Sequence, residues 1–202
     1  MKKSGFTLSE ILVALVIIGV VSAIASPIIS NLLPDKNKVA VLKIHKMVTD
    51  INEQLLNNVS YYYSNDSCKG LACTQEAPAV SGAKDADKYS LLLQKHLQVK
   101  SSASATLFTT ADGNVWTFMT DMANFKDDSY AIFQVDVNPD KTDSIVYSSD
   151  NTKNIDTYRF KVNPNGSVEG CDSLTKAYLK NPHKLNDRKA DYDEAADIES
   201  GK

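Results

Sequence analysis

The sequence predicts an α+β protein, a long N-terminal helical stem packed on a small antiparallel sheet of about four strands. Three patterns carry the prediction. An apolar run extends from Ile11 to Ile29, Val41 to Val59 repeats apolar residues every three or four positions, and from Ala105 short strand-like segments alternate with turn formers.

The apolar run comes first. At about 20 residues and about 1.5 Å per residue it matches a hydrocarbon core of about 30 Å, so it is expected to span a bilayer. Lys2 and Lys3 precede it, which by the positive-inside rule leaves the N-terminus cytoplasmic and exports the chain beyond Ile29. One carboxylate, Glu10, sits at the start of the run. Burial of an acid costs about 2.5 to 3.5 kcal/mol at a bilayer centre and less near the interface, so such a charge normally has a purpose.

The segment Gly5-Phe-Thr-Leu-Ser-Glu10 running into the apolar stretch resembles the N-terminus of type IV pilins and of type II secretion pseudopilins. The resemblance covers about the first fifth of the chain and has several implications. Residues 1–5 would be a leader, cut after Gly5 by a prepilin peptidase. Phe6 would become the mature N-terminus and be N-methylated. Glu10 of one subunit would pair with the Phe6 amine of a neighbour, and Pro27 falls where the family often kinks its helix. A platform protein and an assembly ATPase would draw the subunit from the inner membrane into a periplasmic or cell-surface filament. The pairing would turn an unfavourable buried charge into a device that sets register. A secretory signal peptide is the competing reading of the N-terminus, with Ala23-Ile24-Ala25 as its cleavage site. A membrane-anchored adhesin or ligand-binding module that does not polymerise is the competing reading of the whole chain.

The stem is expected over residues 6–60, with its membrane part at 11–29. Val41, Ile44, Val48, Ile51, Leu55 and Val59 mark the apolar face of its second half, and Pro27 and Pro34 are expected to kink it. A head at 61–171 comes next. Tyr61, Tyr62 and Tyr63 mark the stem-to-loop junction and read as packing. Residues 64 to 87 read as a connecting loop, and Asp87 to Gln98 as a short helix. Strands are expected at Thr106–Thr109 and Val115–Met119, joined through the Asp112-Gly113 turn, then at Tyr130–Asp136 and Thr157–Val162. A short return after Asn165-Gly166 closes the sheet. Residues 172–202 read as a polar C-terminal tail with a short helix near Leu174 to Leu179.

Cys68, Cys73 and Cys171 would lie in an oxidising compartment. A local Cys68–Cys73 bridge with Cys171 left over is the preferred pairing, and a long-range bridge to Cys171 competes with it. Asp136, Asn138, Asp140 and Asp143 alternate with non-ligands, a spacing that could aim oxygens at a hard cation such as calcium. The plainer reading is a turn with a solvated acidic rim. No other cofactor is expected. The net charge of −3 gives no basic footprint for nucleic acid. No nucleophile elbow, His-Glu-x-x-His motif or phosphate-cradling glycine loop occurs, so the expected role is structural rather than enzymatic. The expected partners are further copies of the chain, its processing and assembly machinery, and membrane lipid.

Overall fold

The computed structural model describes residues 7–32, 35–62, 70–72, 88–119, 130–138, 147 and 155–201. The stem is two helices, α1 (Leu8–Leu32) and α2 (Lys36–Asn57). Helical backbone persists through Pro27, and α2 restarts where the Asp35 carboxylate accepts a hydrogen bond from the Asn37 amide at 2.9 Å. Such a cap satisfies one of the orphan donors that begin every helix. After a single 3-10 turn at Gly70–Ala72 come α3 (Lys88–His96) and six strands. These are β1 (Val99–Ser104), β2 (Leu107–Thr110), β3 (Val115–Phe118), β4 (Ala131–Asp136), β5 (Thr157–Val162) and β6 (Val168–Gly170). Helices α4 (Ser173–Lys180) and α5 (Arg188–Ser200) complete the chain.

The sheet is an antiparallel meander in the order β1-β2-β3-β4-β5-β6. Among the described residues it therefore has six strands rather than the expected four or so. The short return after Gly166 is a full ladder member, and β1 carries no alternating apolar signal. Val99 is half-buried and the other five residues of β1 are exposed, so this edge strand is held by its ladder to β2 and buries almost no side chain.

Alternation on β2 to β5 points one aromatic face toward the helices. Phe108 stacks on Trp116 (5.8 Å between centroids), Trp116 on Phe133 (5.3 Å) and Phe133 on Phe160 (5.2 Å), a row running across four neighbouring strands. The periodic residues Val41, Ile44, Val48, Ile51 and Leu55 of α2 join this row in one core. Each is at most 5% exposed, as the spacing required, whereas Val59, expected to continue the stripe, lies beyond the end of α2 at Asn57 and is 76% exposed. Toward the C-terminal end of α2, buried Asn52 donates to Gly166 O at 2.9 Å and accepts from the Tyr89 hydroxyl at 2.7 Å, so its polar atoms are satisfied. Tyr62 is buried beneath the Lys88 ammonium (4.3 Å to the ring centroid) and Tyr61 is half-buried, the packing role expected of these two; Tyr63 lies outside the described residues.

The segment expected to trail as a solvated charged tail forms α5. Asp187 caps its first turn and Gly201, at φ 70°, ends it in the left-handed conformation that glycine adopts without penalty. Ala195 is fully buried where α5 packs on α4. Alternating charge hid this helix because only Asp191 and Ala195 of its thirteen residues are buried.

Candidate functional site

The candidate site starts at the first turn of α1. Thr7 and Glu10 form a reciprocal cap. Glu10 Oε2 accepts from both the Thr7 amide and the Thr7 hydroxyl at 2.8 Å, and the Glu10 amide donates to Thr7 Oγ1 at 3.3 Å. The carboxylate therefore lies at the N-terminal end of the helix. Gly5 and Phe6 are outside the described residues. The Thr-x-x-Glu spacing is the sequence signal of this capping box, a second property of Glu10 beside its charge.

Beyond that turn, the described side chains of α1, which end at Ala23, form no polar face. Ten large apolar side chains from Leu8 to Val21 are 48% to 85% exposed. Helices that are apolar all round are stable only when something else covers them, whether protein or lipid. Side chains of α1 are described as far as Ala23, and no helix among the described residues is long and apolar enough to cross a membrane. Pro27 lies within the helical run of α1, and its ring is outside the described side chains.

The junction between α1 and α2 is gripped by the C-terminal segment. The Asp35 amide donates to Leu185 O at 2.9 Å, and its carboxylate accepts from the Tyr178 hydroxyl at 3.1 Å, with Arg188 Nε 3.7 Å away. One turn on, the fully buried Lys38 ammonium reaches both Asp191 oxygens at 2.7 and 2.8 Å and Lys184 O at 2.9 Å. Burial pushes the Asp191 carboxyl above its ordinary value, and the Lys38 charge and hydrogen bonds only partly offset this. Nothing local in the sequence points to a pair separated by about 150 residues. A lysine on the apolar stripe of an amphipathic helix, three residues before Val41, was the one available signal.

The remaining sequence candidates are dispersed. Asp136 ends β4 and its Oδ1 accepts from the Asn138 amide at 2.9 Å, an Asx-type turn; Asp140 and Asp143 lie outside the described residues. Among the described residues, no three His, Cys, Asp or Glu side chains are grouped to hold a metal ion. Cys171 is a free, half-buried thiol, and no disulfide occurs among the described residues, which do not include Cys68 or Cys73.

Residues 1–26 match the family model for the prokaryotic N-terminal methylation motif, the prepilin-type motif of type IV pilins and pseudopilins. No curated protein and no solved structure matches the chain.

Proposed function

We propose that this protein is a structural, non-catalytic subunit of a type IV pilus-like filament, polymerised through α1. One observation carries the reading. Behind a prepilin-type motif stands a helix that exposes apolar side chains all round and has its one acid in the first turn. A bilayer covers such a helix before assembly, and the same helices of neighbouring subunits cover it afterwards. The subunit inserts in the inner membrane with its N-terminus cytoplasmic. A prepilin peptidase cuts after Gly5 and methylates Phe6, and an ATPase-driven platform moves the subunit into a filament in the periplasm or at the cell surface. The Thr7–Glu10 cap suits this sequence of events. It holds the carboxylate in the free subunit with neutral donors, and a neighbour's Phe6 ammonium replaces them with a charge-assisted bond, roughly twice as strong as a neutral one.

The test is to shear cells, pellet the fibres and sequence the N-terminus of this chain by mass spectrometry. Fibres are expected to carry a chain starting at N-methylated Phe6. Glu10→Ala is expected to leave membrane insertion and processing intact while fibre recovery collapses. Normal fibre yield from Glu10→Ala, or an N-terminus that retains Met1 to Gly5, would reject the reading.

A further inference from the structure

The surface beside α2 and α3 and the C-terminal half of α5 differ in charge, although the rest of the α4–α5 flank also exposes Lys176, Lys180, Lys184, Arg188 and Lys189. On the flank of α2 that faces α3, a cleft of about 360 Å³ opens between α2, the C-terminal end of α3 and the β2–β3 turn. Buried Leu97 and half-buried Met47 line it beneath exposed Lys43 and His96. Lys46 lies one helical turn along from Lys43, Lys95 precedes His96 and donates to the Tyr61 hydroxyl at 3.3 Å, and Lys100 sits beyond them on β1; all three are exposed, as is Asp50 one turn beyond Lys46. Asp112 is the one acid lining the cleft. It bridges to Lys43 at 3.3 Å with both side chains open to solvent, a screened pair that contributes little.

The other flank is built from α4, which packs on β6 and β5 at the far end of the sheet, and from α5 outside α4. After Lys189, α5 carries only acidic charge. Asp193, Asp197 and Glu199 are exposed, and among the described residues Asp197 and Glu199 make no ion pair.

We infer that the basic cleft of one copy receives the acidic C-terminal half of α5 from the next copy. The inference rests on the filament reading and names a head-to-head contact within it. Complementary patches on different faces of one chain cannot satisfy each other in a two-fold dimer that pairs like with like. They form a heterologous contact, which repeats from copy to copy and generates a ring or an open helical array. Charge complementarity also sets register and steers encounter, a role that uniformly apolar stems cannot fill alone. Met47 and Leu97 supply apolar ground beneath the charges.

The experiment uses the full chain in cells that assemble it, with two readouts. In the first, Lys43→Glu with Lys46→Glu, and separately Asp197→Lys with Glu199→Lys, are each expected to lower recovered polymer about tenfold or more at unchanged processed subunit. Like charges brought together at an interface cost several kcal/mol, and about 1.4 kcal/mol is a factor of ten. Combining all four reversals is expected to restore most of the polymer. In the second, Lys46 is replaced by p-benzoyl-phenylalanine and whole envelopes are irradiated, with the same probe at Val13 as the stem control. A ladder of dimers and larger products, mapped by mass spectrometry to residues 188–200, supports the contact. Stem cross-links at Val13 without α5 cross-links from position 46, or charge reversals that do not rescue each other, overturn the inference and leave the filament reading standing. Absence of cross-linked copies from both positions overturns both. Nuclease-sensitive products from position 46 would assign the cleft to nucleic acid and overturn the inference.

Discussion

Replacing Lys38 with methionine tests whether the C-terminal helix is a structural part of the stem. The lysine side chain is fully buried and its partner Asp191 is 3% exposed, so this pair belongs to the buried class. Removing one member of such a pair leaves an uncompensated charge and costs about 3 to 5 kcal/mol, whereas exchanging both members for apolar side chains is often neutral or better. For a chain of this size about 1 kcal/mol corresponds to about 2 to 4 °C, so Lys38→Met is expected to lower the melting temperature by roughly 10 °C. Asp191→Leu should do likewise, because it leaves the buried ammonium with no counter-charge, only Lys184 O and the face of the Tyr178 ring. The double variant should recover most of the loss. The assay is thermal unfolding of the full chain in detergent, monitored by circular dichroism.

The same variant has a signed pH dependence. Burial already raises the folded-state carboxyl of Asp191 above its unfolded value. A carboxyl raised on folding favours the folded state most below its unfolded pKa, and that contribution is lost as pH rises through the folded value. Without Lys38 the rise is larger, so the deficit of Lys38→Met relative to the parent chain should be greatest near neutrality and shrink as the solution is acidified toward pH 4. Single variants costing under about 1 kcal/mol would place the pair with ordinary surface bridges. A double variant whose cost equals the sum of the singles would show that the two side chains do not act as a unit. Either result refutes the reasoning.

Gly170 and Asp136 give two further expected outcomes. An alanine Cβ at Gly170 would lie 2.6 Å from the Lys176 amide nitrogen and 2.9 Å from Thr175 C, so Gly170→Ala must move the α4 backbone away from β6. It is expected to cost about 1 to 3 kcal/mol, seen as a fall of several degrees in melting temperature; an unchanged midpoint would mean that α4 is not seated as described. Asp136 Oδ1 accepts from the Asn138 amide as in an ordinary turn, and on that plainer reading melting is expected to be the same in chelator and in millimolar calcium; a clear rise with calcium would favour the cation reading of the segment from Asp136 to Asp143.

Legibility in the sequence tracked whatever repeats along a single element. The apolar spacing of α2 marks every one of its buried large apolar residues from Val41 to Leu55, and β2, β3, β4 and β5 are legible because each buries alternate side chains. Elements that bury little are not. Strand β1 is exposed along nearly its whole length, and α5 buries two residues of thirteen, so neither leaves a periodic trace. The site divides in the same way. Glu10 stands out as an acid beside an apolar run, while its bond to Thr7 needs only the capping-box spacing. The Lys38–Asp191 pair is invisible because tertiary structure alone brings the two residues together.

On the proposed filament reading, the placement of that pair would bear on how the subunit carries load, since axial force would reach the head from α1 through the first turn of α2. That turn is where the C-terminal segment takes hold, through Leu185 O on the Asp35 amide, Tyr178 on its carboxylate, and Asp191 on Lys38. A stem fastened only by its apolar stripe could be peeled from this end one turn at a time, since hydrophobic contact has no direction. The clasp adds directional bonds at the end where peeling would begin, and α5 is tied through α4 to β6 and β5. The buried pair, costly to desolvate and of little value to equilibrium stability, thus stands where a tether enters the fold. That accounts for a charged residue on the apolar stripe of α2 at Lys38, one turn after the break in the stem.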